Sequence, residues 1–312
     1  MKSSTVALGL GAAAAVSAQR PADQSICDYY TTALLMENNA TNQQTVLTLV
    51  VNTAVIGNYT SNPGSLVAVP GILAPGTGDF EGVNLLQYFN GDLASTNAGG
   101  SPRAVNFLDD GGAAPLMMNM PANGTDSAQY RLLTHLYQYF AVLLGCSEYG
   151  NSTGQYEGDV SQYSVHKYMA LSNAEVGYFI TQVGLAAKSF GVTDDDVTAV
   201  GTALTNAFGY RCAPPAAIPP TASAELQAIC IAEDCPIATE SATCDAYEAV
   251  VEPATATASA TSSGGMPSAT GGDDDMPSAT SAMPEMSTGG AGSLLPVMGG
   301  VVGGAMAAVF AL

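Results

Sequence analysis

Between Ser172 and Phe208 the sequence reads as two helices in succession, each with its own start and stop signal. Ser172-x-x-Glu175 is a capping box, in which hydroxyl and carboxylate satisfy backbone N–H groups left free in a first helical turn. Val176, Phe179, Ile180, Val183 and Ala187 then share one face, and Gly191 closes the helix. Thr193 opens the next, with Asp194, Asp195 and Asp196 in the first turn, where carboxylates suit the helix dipole. Its apolar face is Val197, Val200, Leu204 and Phe208, and Arg211 and Cys212 end it. Two such faces must be buried against further helices, so this stretch commits the chain to helix-on-helix packing.

The rest of the chain supplies partners. Ser127 to Leu144 carries Leu132, Leu136, Tyr139, Phe140 and Leu143 at helical spacing and stops at Gly145. Cys27 to Met36 and Val160 to Met169 read as short helices. Thr45 to Ile56 places Val46, Leu49, Val50 and Thr53 on one face, but its β-branched residues leave a strand open. Residues 58–120 are dense in Gly, Pro and Asn, and read as an irregular insertion with one or two short helices near Val83–Phe89 and Val105–Leu108. The expected fold is an all-α domain of about five or six helices.

The ends address the compartment. Lys2, an apolar run from Val6 to Val16 and the small-residue site Val16-Ser17-Ala18 before Gln19 have the form of a secretory signal peptide, too short to span a bilayer. Leu294 to Leu312 is apolar and uncharged, follows small residues at Ser287 to Ala291, and has the form of a glycosylphosphatidylinositol (GPI) attachment signal. A retained tail-anchor helix is the alternative, made poor by Pro296 and the many glycines. The expected division is a signal peptide at 1–18, a helical domain with a cysteine-rich extension at 19–248, a disordered Ser/Thr/Ala/Pro-rich stalk at 249–290 and a GPI tail at 291–312. The expected locations are the outer face of the plasma membrane, reached through the anchor, or the cell wall, with wall polysaccharide as a further partner.

Cysteine usage agrees with secretion. Cys27, Cys146, Cys212, Cys230, Cys235 and Cys244 are even in number and read as disulfides, with the 230/235/244 group stapling the extension and one member reaching back to the core. Zinc on Cys230 and Cys235 is the weaker reading. Asn39, Asn58, Asn123 and Asn151 head N-glycosylation sequons, which places them at the surface. With 27 acidic against 7 basic residues, nucleic acid is excluded as a partner by repulsion from its phosphates.

Only two histidines occur, His135 and His166, both in helical stretches. Around His166 the order of motifs is Tyr156-Glu-Gly158, Val165-His166-Lys167, Phe179, Gly191-Val192 and then the helix from Asp194. Upstream lies Leu143-Leu144-Gly145-Cys146. In that order and spacing, Tyr156 to Arg211 resembles the C-terminal half of a truncated haemoglobin, over about a third of the mature domain. The resemblance implies a globin-like helical fold, haem (heme) as cofactor and His166 as proximal iron ligand. It places His135 on the distal helix as a second axial ligand or gate, and Leu132, Leu136, Tyr139, Met169 and Phe179 around the haem. A small gaseous ligand, redox sensing or electron transfer would follow. The pattern departs from the family in a longer loop between Gly145 and His166. Residues 58–120 have no counterpart, and Tyr59, Phe80 and Phe89 are unconvincing stand-ins for the family's distal Tyr and early Phe.

Read without the resemblance, His166 is a partly exposed helical histidine and His135 a surface one. The competing functions are then a cofactor-free adhesion or wall protein and a secreted hydrolase, which leaves open whether the chain is an enzyme at all. The hydrolase lacks support in motifs: there is no Gly-x-Ser-x-Gly elbow, and Asp109-Asp110 and Asp194–Asp196 read as turn and helix-start residues.

Overall fold

The computed structural model describes residues 19–59, 67–150, 156–218 and 220–255. The stretches expected to be signal peptide and GPI tail, the expected stalk beyond residue 255 and the sequon at Asn151 lie outside the described residues.

The protein is mostly helical. α1 (Ile26–Leu35) and α2 (Ala40–Ile56) open the domain. After them come α3 (Leu86–Phe89), a hairpin of β1 (Asn90–Asn97) and β2 (Pro102–Asn106), and α4 (Ala113–Met117). α5 (Ala128–Leu144), α6 (Gln162–His166), α7 (Asn173–Ser189) and α8 (Asp194–Phe208) complete the helices. α2 packs on α1, α5 and α7, and α7 packs on α8.

The helix signals act as their chemistry dictates. Ser127, Ser172 and Thr193 each accept a hydrogen bond from the third backbone N–H beyond them, and Ser172 with Glu175 forms the complete capping box. Gly145 ends α5 in the left-handed conformation at φ 72°, where a Cβ would be strained. α2 is a helix rather than a strand and starts five residues before Thr45. Its N-cap is Asn39, whose side chain accepts from the Asn42 amide. α6 is shorter than Val160–Met169, and α8 stops at Phe208, with Gly209 as its cap, before Arg211.

The all-α expectation is corrected by the two-stranded antiparallel sheet inside the insertion. Asn97 pairs with Pro102, and the turn between them carries Gly99 and Gly100 at φ 63° and 89°. Those glycines reverse a chain whose small polar residues hold no helical period. The body also continues past residue 248: the Ala94 amide donates to the Ala254 carbonyl at 2.8 Å, and Leu93 bridges Thr255. Residues 249–255, expected to belong to the stalk, therefore lie partly against β1.

The core sits where α2, α5, α7 and α8 meet, and includes Leu47, Val51, Leu133, Tyr137, Val183 and Leu204. Asn52, fully buried on α2, donates to the Leu116 carbonyl at 3.1 Å and accepts from the Tyr137 hydroxyl at 2.6 Å, tying α4 and α5 to α2.

All six cysteines are paired: Cys27–Cys146, Cys212–Cys244 and Cys230–Cys235, at sequence separations of 119, 32 and 5. The zinc alternative is removed, because Cys230 and Cys235 are bonded to each other. Chain-entropy arithmetic makes the three bonds worth about 5, 4 and 2 kcal/mol in that order. At the N-terminal end Arg20 forms an ion pair with buried Asp196 at 2.9 Å, and the Tyr30 hydroxyl donates to the same carboxylate at 2.8 Å. Burial pushes the Asp196 carboxyl up, but these partners outweigh it and hold it below its ordinary value.

Candidate functional site

On α5, Leu132, His135, Leu136 and Tyr139 follow the i, i+3, i+4, i+7 spacing that aligns side chains along one helix face. That face meets the core at Tyr139, with Leu132 and Leu136 packed against the core's edge. It forms one wall of a cleft of about 200 Å³. Val165, His166 and Met169 form the facing wall, from α6 and the turn after it, and Phe179 and Val176 of α7 with Phe208 of α8 form the floor. All seven residues expected from the sequence to surround a haem therefore line one cavity: His166, His135, Leu132, Leu136, Tyr139, Met169 and Phe179.

The α6 wall is strapped from outside. Ser161 caps α6 by accepting from the Ser164 amide. Its hydroxyl donates to the Leu226 carbonyl at 2.9 Å, the Tyr163 amide donates to that carbonyl at 3.2 Å, and Gln227 donates through Nε2 to the Val160 carbonyl at 2.8 Å. The cysteine-rich extension thus sets where the short helix stands.

His166 is held within that helix. Its Nδ1 lies 2.8 Å from the Gln162 carbonyl oxygen. A carbonyl can only accept, so Nδ1 carries the proton and Nε2 is left with its lone pair. Burial lowers the His166 pKa, and the bond to Gln162 opposes that shift. The ring is therefore neutral at pH 7, the state needed to bind a metal.

His135 is held differently. No hydrogen bond reaches its ring among the described residues, and it meets Tyr156 edge-on, with ring centroids 6.4 Å apart. Burial lowers its pKa, with Glu157 opposing and Arg131 adding to the shift. Tyr156 in turn accepts from Gln162 Nε2 at 2.9 Å, so one residue, Gln162, touches both the His166 ring and the phenol beside His135.

Tyr139 is 6 % exposed, and its hydroxyl has no hydrogen-bond partner among the described residues. Burial raises its pKa well above the ordinary phenol value, so it stays protonated. Glu175 also lines the cleft, but its carboxylate is occupied by the Ser172 amide and hydroxyl and by the Tyr88 hydroxyl.

Four wall residues come from the insertion and the extension: Ile72, Leu85 and Phe89 from the former and Ile229 from the latter. The apolar run Val83–Phe89 was the visible trace of two of them; Ile72 and Ile229 stand among Pro, Gly and Cys with no periodic pattern. Of the other aromatic candidates, Phe80 packs against Tyr178 at 5.4 Å and the Tyr59 hydroxyl donates to Asn119 at 2.6 Å; neither lines the cleft. Asn58 and Asn123 are exposed, as sequons require, while Asn39 is half-buried as the cap of α2.

Among the described residues no group of three or more His, Cys, Asp or Glu side chains converges to hold a metal ion. Comparison with known proteins finds no matching protein family, no similar curated protein and no similar solved structure.

Proposed function

We propose that this is a globin-like domain, displayed outside the cell on a GPI-anchored stalk, that binds haem in the cleft through His166. The observation that carries the reading is the placement of His166: its Nδ1 is 2.8 Å from the carbonyl oxygen one helical turn earlier, and the residue lines a mainly apolar cleft. A bare ion held by protein side chains alone requires three or four donors. One imidazole suffices when a macrocycle supplies the other donors. When bound, haem would supply an iron able to take diatomic ligands or exchange electrons.

The chain's own residues have definite tasks in this reading. Gln162 fixes the His166 tautomer and ring direction, and hydrogen bonding of that kind raises ligand basicity. Leu132, Leu136, Met169, Val176 and Phe179 exclude water from the macrocycle faces. His135, bound by no hydrogen bond, is free to ligate or to gate the opposite face. The unpartnered Tyr139 hydroxyl is available to donate to a polar ligand atom.

The test is an absorption titration of the purified protein with haemin. A saturable Soret band, lost in His166→Ala and altered in His135→Ala, is the expected result. The absence of a saturable Soret change in the folded wild type would leave a cofactor-free surface module instead.

A further inference from the structure

Arg211 lines a second cavity, of about 190 Å³, with Tyr163 of α6, Tyr247, Glu248 and the Cys212–Cys244 bond. Its backbone is fixed on both sides: the Arg211 amide donates to the Pro236 carbonyl at 2.8 Å, and its carbonyl accepts from the Ala238 amide at 2.9 Å. Its guanidinium makes no hydrogen bond or ion pair among the described residues, and its Nε is buried. Leaving such a donor buried and unpaired is destabilising.

The missing partner is not for want of acid, since the chain has 27 acidic residues. Glu248 lines the same cavity, but its carboxylate is engaged by Lys167 at 2.6 Å. Arg20 and Lys188 are likewise paired, with Asp196 and Asp194. Arg211 thus lines the cavity on a backbone fixed at both its amide and its carbonyl, and no carboxylate among the described residues answers its guanidinium.

We infer that this cavity binds a small organic monocarboxylate, held by the Arg211 guanidinium. A guanidinium edge presents two parallel N–H groups that match the two oxygens of a carboxylate. The rings of Tyr163 and Tyr247, 4.7 Å apart edge-to-face, offer an apolar surface to the body of the acid. The net charge of −20 repels a dianion more strongly than a monoanion, which sets the preference against inorganic phosphate.

The experiment uses the full chain without haemin, so its outcome is independent of the reading of His166. Sodium benzoate and sodium phosphate are titrated at constant ionic strength, followed by calorimetric melting and by the arginine Nε–H resonances. Benzoate is expected to raise the melting temperature saturably and to shift the Arg211 Nε–H signal. Phosphate is expected to do neither at the same concentration. Arg211→Met should melt no lower than wild type without ligand and lose the benzoate response, and Arg211→Lys should weaken it at least tenfold. No saturable shift of the Arg211 resonance in the wild type would overturn the inference. So would a benzoate response that survives in Arg211→Met, or an equal response to phosphate. The resonance experiment needs no variant, so a variant that fails to fold leaves the test intact.

Discussion

α2 and α5 are both 17 residues long, lie against each other, and do opposite work. α2 is buried on nearly every side, including polar Gln43, Asn52 and Thr53. Neighbours use most of its surface, and no residue of α2 lines the cleft. α5 divides its surface: Leu133, Tyr137 and Ala141 face the core, while Leu132, His135 and Leu136 stay half-buried along the cleft. Stability and binding capacity are drawn from different faces, so substitutions on α2 and on the cleft should separate them.

The largest separation is expected at His166. His166→Ala should abolish the haemin Soret band while the protein still melts cooperatively; a retained band would remove the cleft's assigned role. On α2, Leu47 is 2 % exposed, and Leu47→Ala should lower unfolding free energy by about 2–5 kcal/mol in a urea titration. Haemin affinity of the fraction that stays folded should be unchanged. Asn52→Ala leaves the Leu116 carbonyl and the Tyr137 hydroxyl unanswered, and should cost about 1–3 kcal/mol.

Acid should act through the cleft, at His135 on α5 and His166 on α6. His166 and His135 have folded pKa values below the ordinary value of about 6.5. Below that pH the unfolded chain takes up protons that the folded chain refuses, so stability should fall as pH drops below about 6.5 and level off beneath the folded values. His166→Ala with His135→Ala should flatten that slope. The smallest effect belongs to Tyr139→Phe, which deletes a buried hydroxyl with no partner and should leave stability unchanged or raise it by up to about 1 kcal/mol.

Legibility in the sequence followed locality. Helix starts at Ser127, Ser172 and Thr193 were readable because cap and first turn lie within four residues. The apolar stripe of α5 was readable from helical spacing, whereas its place along a cleft was implied only by the resemblance. Asn39 was hidden by serving two patterns at once, a sequon and a cap. The hairpin, Ile72 and Ile229 depend on pairing or packing with distant residues, for which no local pattern exists. Arg211 could be read as a helix end, but its lack of a partner is a property of the folded surroundings alone.

The cysteine pairing has a consequence for the order of events during synthesis. The next cysteine to leave the ribosome after Cys27 is Cys146, its own partner, so the first crosslink the growing chain can make is the native one. At roughly 5–20 residues per second, Cys27 waits roughly 6 to 24 s with nothing else on its own chain to react with. The remaining four emerge within a short span, and Cys212 meets Cys230 and Cys235 before its partner Cys244 exists. Errors of pairing should therefore concentrate in the extension that straps α6, and assistance from a thiol isomerase should matter there rather than at the bond between α1 and the end of α5.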